Sequence, residues 1–444
     1  MTYAPASAES TVHAGMQKTR ILRVRGGHRL VGEVTISGAK NAALKALAAS
    51  LLTAEEVVLN NVPMLADVVS TADLLRAFGA EVEIDPIEER VVIRAREITR
   101  TDAPDKLFNA TRASVVVAGP VLARCGEISF SLPGGDDIGK RPIDMHLRGF
   151  QRMGAEVVVD QSGIAARAPK LKGTRIYMDY PSHTGTETIM MAATLASGRS
   201  VIVNASAEPE VVWLGQFLNR MGARISGLGS PIITVDGVER LNGVSDIVPP
   251  DRLEAGTFAI GAAMTGGEVT LHGVVESHML PLNEKLQEMG VEIWHRDDQM
   301  LVRPGSGLRA VDIQTLPFPG FPTDLQAPFV ALLTQAHGHA RVHERVYEDR
   351  LRYTRDLVRM GANIRVAQFG TNLATSAEVS GPARLHGERV TALDIRSAVS
   401  LVLAGLVAEG ETELLEVYHI DRGYARFVDK LNAIGADVED TWIG

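Results

Sequence analysis

Residues 75–84 read LRAFGAEVEI, and the phrase returns five times: FQRMGAEVVV at 150–159, LNRMGARISG at 218–227, LQEMGVEIWH at 286–295, LVRMGANIRV at 357–366 and LNAIGADVED at 431–440. In each copy an amphipathic run leads to a glycine, and strand-like residues follow it. A helix that ends in a left-handed residue favours glycine, which has no Cβ to clash. The alternating, β-branched stretch beyond it suits a strand. The six glycines, Gly79, Gly154, Gly222, Gly290, Gly361 and Gly435, recur about every 70 residues, too long a period for a short solenoid repeat.

A second phrase precedes most copies: an Ala/Leu-rich helix, a turn, then a strand. NAALKALAASLLTAEEVVLNNV (41–62), ETIMMAATLASGRSVIVNAS (187–206), GTFAIGAAMTGGEVTLHGV (256–274) and RSAVSLVLAGLVAEGETELLEV (396–417) are examples. Small residues along these helices allow close packing inside each unit. The expectation is six α/β units, each with two helices and several strands.

At 444 residues the chain exceeds one ordinary core, which points to two or three domains. Aromatic residues make up only 5%, so the core must rest on Ala, Leu, Ile and Val. A net charge of −9 argues against broad nucleic-acid binding, which needs a basic face. It leaves room for an anionic small molecule, because a local group of arginines can act within an acidic protein. The single cysteine, Cys125, excludes an intramolecular disulfide and a cysteine-based zinc site, and reads as a small buried side chain. Residues 1–19 lack a signal-peptide pattern and read as a flexible tail. No apolar run approaches the ~20 residues of a membrane helix, so the expectation is a cytoplasmic protein without a membrane partner. HGHARVH at 337–343 fits a turn entering a strand with His339 and His343 on one side; it lacks a carboxylate or cysteine partner, so no metal site is expected.

Several polar stretches invite a chemical reading. SLPGGDDIGKRPID at 131–144 sets Asp136 and Asp137 in a glycine turn, with Lys140 and Arg141 behind them. Glycine and aspartate also favour turns for backbone reasons alone. Lys40 and Asn41 open an Ala-rich helix, where first-turn amides favour an anion; a solvated lysine would look the same. Asp324, in LPFPGFPTDLQAPF, fits a helix N-cap as well as a functional carboxylate. Arg112, Arg141, Arg396 and Arg422 each stand beside an apolar run.

The stretches GEVTISGAKNAAL (32–44), LPGGDDIGKRPIDMHL (132–147), NASAEPEVV (204–212), FPGFPTDLQA (318–327) and YHIDRGYARFVDKL (418–431) carry a resemblance to the enolpyruvyl transferases, within them the branch acting on UDP-N-acetylglucosamine. The resemblance implies two similar α/β domains, each of three repeated units with helices inside and sheets outside, an inside-out α/β barrel. The active site would lie in the interdomain cleft. The implied domains are residues 40–249, carrying the catalytic loop, and residues 20–39 with 250–444.

The implied reaction moves the enolpyruvyl group of phosphoenolpyruvate to the sugar 3-hydroxyl of UDP-N-acetylglucosamine and releases phosphate. It requires protonation of a methylene carbon, deprotonation of a hydroxyl, and cations to hold phosphate and carboxylate. By resemblance Asp136 stands where many relatives carry a proton-donating cysteine, a task open to a carboxylic acid whose pKa is raised. Asp324 would be the general base. Lys40, Asn41, Arg141, Arg396 and Arg422 would hold phosphoenolpyruvate, with Lys40 and Arg422 also serving catalysis. Arg112, Arg141, Pro142, Ile143, Asp144, Met145, Ser182, His183, Asp324 and Val346 would hold the UDP-sugar. Arg350 would stabilise a closed cleft or bind ligand. Neither cofactor nor metal is implied. Fosfomycin, which alkylates the loop cysteine of relatives, would meet a poorer nucleophile in Asp136.

The match fails at YPSHTGTE (180–187), where many relatives have PSVGATE, and at Trp213, where an acidic residue is common. Both departures touch the nucleotide side. They leave open another nucleotide or 3-phosphoshikimate as acceptor, or a non-catalytic UDP-sugar sensor.

Overall fold

The computed structural model describes residues 18–109, 112–131, 142–161, 163–368 and 374–443, with the side chains of residues 112, 113, 368 and 374 left undescribed. Asp136, Asp137, Lys140 and Arg141 lie outside the described residues, as does the expected tail up to residue 17. Thr19, assigned above to that tail, already pairs with Ile443 in a strand.

All six repeat glycines adopt the left-handed conformation, with φ between 91° and 103°. They follow the helices Ala66–Ala77, Asp144–Arg152, Pro209–Arg220, Glu276–Glu288, Thr354–Arg359 and Phe427–Ala433. In every copy the amide after the glycine reaches back to a carbonyl five residues earlier, as in Ala80 N to Leu75 O at 3.1 Å and Ala223 N to Leu218 O at 3.0 Å. This is the Schellman closure of a helix C-terminus, and it turns the chain directly into the next strand.

The second phrase also holds in six copies. Four were quoted above; the helices Ala118–Cys125 and Thr323–Leu333 complete the set with Lys40–Ala49, His183–Thr194, Arg252–Thr265 and Ile395–Val407. Five of these helices are almost wholly buried, and Ala118–Cys125 is buried over its first five residues. Small residues permit it: a Cβ on Gly256 would lie 2.5 Å from Leu325 Cδ1, so the helix Thr323–Leu333 packs closely here against a residue without a side chain. The strands that follow, among them Glu56–Asn60, Arg199–Val203, Glu268–His272 and Glu411–Leu415, share one alternation of buried and more exposed positions. One face packs on the helices and the other meets solvent.

Among the described residues the strands form six sheets, five of four strands and one of three. In each, the strand after the buried helix pairs antiparallel with a middle strand, and the middle strand pairs antiparallel with the post-glycine strand. Val31–Thr35 adds a parallel edge to Glu268–His272, and Thr19–Arg25 joins Glu411–Leu415 to Asp437–Ile443. The start of the chain therefore belongs with its second half. The buried apolar residues fall into two clusters. One draws on residues 39–248 with Ala425; the other draws on Leu22–Ile36 and Leu253–Val438.

Three expectations gain detail. Cys125 is half-buried rather than buried, and burial raises its thiol pKa. Trp213 stacks on Phe217, ring centroids 5.4 Å apart, and packs against the first cluster. The stretch around 337–343 forms the strand Gly338–His343, where His339 and His343 bind Ser380 and Ser376 at 2.8 Å.

Candidate active site

Lys40 is the first residue of its helix, and the chain enters through Gly38, where a Cβ would lie only 1.8 Å from the Asn61 carbonyl oxygen. Its backbone amide donates to Asp251 Oδ2 at 3.2 Å. Its Nζ meets Asp67 Oδ2 at 2.6 Å, with the lysine side chain 9% exposed and the aspartate 5%. Arg422, from the far end of the chain, donates from Nε to Asp67 Oδ1 at 2.9 Å. The helix Tyr418–Gly423 can come this close because Gly423 faces Ile395, where a Cβ would sit 2.2 Å from Cγ2.

Arg396 is the second residue of its helix, behind a capping box formed by Asp394 and Ser397. Its Nη1 donates to Tyr424 Oη at 2.9 Å and its Nη2 to Asp324 Oδ2 at 3.0 Å. Arg350 donates to Asp324 Oδ1 at 2.6 Å. Asp324 is not the N-cap: Pro322 holds that place, and the aspartate side chain is committed to the two arginines. Its position in the first helical turn adds a further stabilisation of its charge.

Lys40, Asp67, Arg422, Arg396, Asp324 and Arg350 thus meet where the two halves of the chain touch. Among the described contacts, four cations share two carboxylates. Burial would push Asp67 up, but Lys40 and Arg422 hold it below the ordinary carboxylate value. Burial pulls the Lys40 ammonium down, and repulsion from Arg422 and Arg396 adds to this against the attraction of Asp67. Asp324, despite its burial, is held far below the usual range by Arg396 and Arg350. Positive charge is crowded here, which is what an anionic ligand would relieve.

A second buried group adjoins it. Arg252 binds Glu210 Oε1 at 3.0 Å and Glu208 Oε2 at 2.5 Å, and Phe318 N donates to Glu208 Oε1 at 3.1 Å. Against the effect of burial, Arg252 brings the Glu210 carboxyl down to about 2. His183 opens its helix behind the Ser182 cap, whose Oγ accepts from Gly185 N at 3.1 Å. The His183 ring lies 3.0 Å from Glu187, a fully buried carboxylate that also faces Lys45 at 3.6 Å.

The remaining expected residues divide. Asn41 stays beside Lys40 in the first helical turn, half-buried. Asp144 pairs with Arg148 at 2.7 Å, and Arg148 reaches Asp179 at 2.5 Å, which ties the Pro142–Met145 stretch to the segment leading into Ser182. Pro142 is exposed, Ile143 is buried, and Met145 packs against the first cluster. Val346 donates its amide to Glu344 at 2.8 Å. Arg112 begins a 3-10 turn; its side chain, Asp136 and Arg141 lie outside the description.

Sequence reasoning missed Asp67, Lys45, Glu187, Arg252, Glu344 and Tyr424 as parts of this region. Tyr424 lies inside the quoted YHIDRGYARF stretch, and Lys45 interrupts a run of alanines and leucines on a buried helix, so both carried a signal. Asp67 offered only a carboxylate in a first helical turn.

The family described as EPSP synthase (3-phosphoshikimate 1-carboxyvinyltransferase) matches residues 24–431. UDP-N-acetylglucosamine 1-carboxyvinyltransferase 2 of Carboxydothermus hydrogenoformans is 49% identical over 418 residues, covering 94% of this chain and 98% of that protein. The UDP-N-acetylglucosamine 1-carboxyvinyltransferase of Magnetococcus marinus is 48% identical, covering 94% and 98%. Among solved structures, the enolpyruvyl transferase NikO from Streptomyces tendae superposes with a TM-score of 0.86 at 23% identity, over 96% of this chain and 100% of that one. The EPSP synthase of Acinetobacter baumannii gives 0.73 at 17% identity, over 95% and 100%.

Proposed function

The chain belongs to the enolpyruvyl transferase family, and from that premise we propose that it transfers the enolpyruvyl group of phosphoenolpyruvate to the 3-hydroxyl of UDP-N-acetylglucosamine, releasing phosphate, at the entry to peptidoglycan synthesis. The observation that carries this is the identity of nearly half the residues, over almost the full length, with relatives named for that activity. We read the architecture as two three-unit domains, residues 40–249 and residues 20–39 with 250–444, each an inside-out barrel. The two apolar clusters and the pairing of residues 19–35 with the second half support that division.

Lys40, Arg396 and Arg422 would receive the phosphate and carboxylate of phosphoenolpyruvate, aided by Asn41 and Arg141. Asp136 would deliver the proton to the methylene carbon, and Asp324 would take the proton of the sugar hydroxyl. Held by two guanidiniums, Asp324 is a weak base. An anion that draws Arg396 toward itself would raise the basicity of Asp324 when both substrates are present. Arg112, Arg141, Pro142, Ile143, Asp144, Met145, Ser182, His183 and Val346 would hold the nucleotide half.

The test is phosphate release from phosphoenolpyruvate with UDP-N-acetylglucosamine, with 3-phosphoshikimate, and with neither. Release that depends on the nucleotide sugar and vanishes in Asp136→Ala is expected. Release with 3-phosphoshikimate alone would reassign the acceptor, and ligand binding without release would leave a sensor. Fosfomycin should leave the wild type active, whereas Asp136→Cys should stay active and become sensitive. A stoichiometric adduct on the wild-type loop would contradict the role given to Asp136.

A further inference from the structure

Glu344 follows the strand Gly338–His343 and is 1% exposed. Its carboxylate accepts four hydrogen bonds. Oε1 takes Thr315 Oγ1 at 2.8 Å, Val346 N at 2.8 Å and Tyr347 N at 3.1 Å; Oε2 takes Thr323 Oγ1 at 2.9 Å. Thr323 is the neighbour of Asp324, and its hydroxyl also accepts from Arg350 Nη1 at 2.7 Å. Arg350 Nη2 in turn donates to Asp324 Oδ1.

The direction of this chain follows from proton counting. A threonine hydroxyl has one proton to give, and Thr323 gives it to Glu344, so its lone pairs are left for Arg350. Only an acceptor at Oε2 permits that orientation. Glu344 also closes the turn that carries both Val346 and Arg350 by holding two of its amides. One buried carboxylate therefore joins the Val346–Tyr347 backbone to the guanidinium on Asp324. A buried network of this kind, with both carboxylate oxygens accepting, rigidifies the groups it joins.

We propose that Glu344 and Thr323 are positioning residues, which fix Arg350 and through it the Asp324 carboxylate against the loop on the acceptor side. This rests on the reading of Asp324 as the base. Neither residue touches the reacting atoms; they set where the base stands when the sugar hydroxyl arrives. Misplacement of a reacting group by about an ångström is enough to cost on the order of 100-fold in rate.

The experiment compares Thr323→Val, Thr323→Ser, Glu344→Gln and Asp324→Asn in phosphate release, with full pH profiles and melting curves. Thr323→Val should fold, lose about 10- to 100-fold in kcat and keep KM for phosphoenolpyruvate within about threefold. Its acidic limb should move to higher pH, because Arg350, no longer anchored by the Thr323 hydroxyl, holds the Asp324 carboxyl down less firmly. Thr323→Ser should restore both rate and profile. Glu344→Gln should behave like Thr323→Val, since an amide nitrogen at the Oε2 place cannot accept the threonine proton. If it fails to fold, the threonine pair still decides. Wild-type kcat and an unshifted limb in Thr323→Val would overturn the positioning role alone. An active Asp324→Asn would overturn the base assignment and this inference together.

Discussion

On the sheet formed by Thr19–Arg25, Glu411–Leu415 and Asp437–Ile443, Arg25 reaches Glu411, Asp437 and Glu439 at 3.0, 3.1 and 3.2 Å, with side chains 39–45% exposed. Where the two halves meet, Lys40 and Arg422 reach Asp67 at 2.6 and 2.9 Å, with side chains 5–13% exposed. The residue types and contact lengths are alike, and the solvent is not. Water and salt screen the outer pairs, which add little to stability. The inner charges have left water at a cost of several kcal/mol per ion, which their mutual attraction need not recover. The outer ladder decorates and solubilises a sheet. In the function proposed, the inner cluster is retained for a ligand that needs its charge.

The largest expected effect is chemical. Asp324→Asn should lower acceptor-dependent phosphate release by roughly 100- to 10,000-fold, the range for loss of a general base. A rate within tenfold of wild type would remove Asp324 from that role.

Next comes the contrast in stability. Asp67→Ala leaves two buried cations short of a partner and should cost about 3–5 kcal/mol in denaturant unfolding. Arg25→Ala should stay close to wild type. Equal effects would break the distinction between the two regions. The pH dependence has a definite sign. The folded pKa of Asp67 is depressed, so its contribution is present above the unfolded carboxylate pKa and is lost as pH falls through the folded one. Acid should therefore narrow the gap between Asp67→Ala and wild type.

The smallest effect concerns His183. Burial lowers its pKa, but the Glu187 carboxylate outweighs that and leaves it raised. Lys45 opposes and Glu210 assists. A raised folded pKa stabilises below the unfolded value and loses that contribution as pH rises through the folded one. Melting temperatures between about pH 5 and 9 should fall more steeply in the wild type than in His183→Val. Parallel curves would show that the histidine does not titrate with folding.

Much of the architecture was legible because its cause is local. A glycine after an amphipathic run fixes a helix end wherever it occurs, and six copies exposed the repeat. Two buried-helix copies are less plain in the sequence than the four quoted: Ala118–Cys125 carries Pro120, and Thr323–Leu333 carries Pro328. The cations of the site were legible from motifs, but their partners were not. Asp67 and Arg422 lie 355 positions apart, and no local pattern announces such a pair. The cap reading of Asp324 failed for a related reason. Spacing identifies a carboxylate near a helix start, while its partners, Arg350 and Arg396, come from distant segments.

The most direct test of the central claim is the melting temperature of the triple variant Lys40→Met, Asp67→Leu, Arg422→Met, read beside its phosphate release. Replacing a buried charge group with apolar residues of similar size is often neutral or stabilising by about 1–4 kcal/mol. The account predicts a melting temperature equal to or above that of the wild type, with acceptor-dependent release abolished. A melting temperature about 10 °C lower with release intact would contradict it, because the charges would then serve the fold and not the ligand.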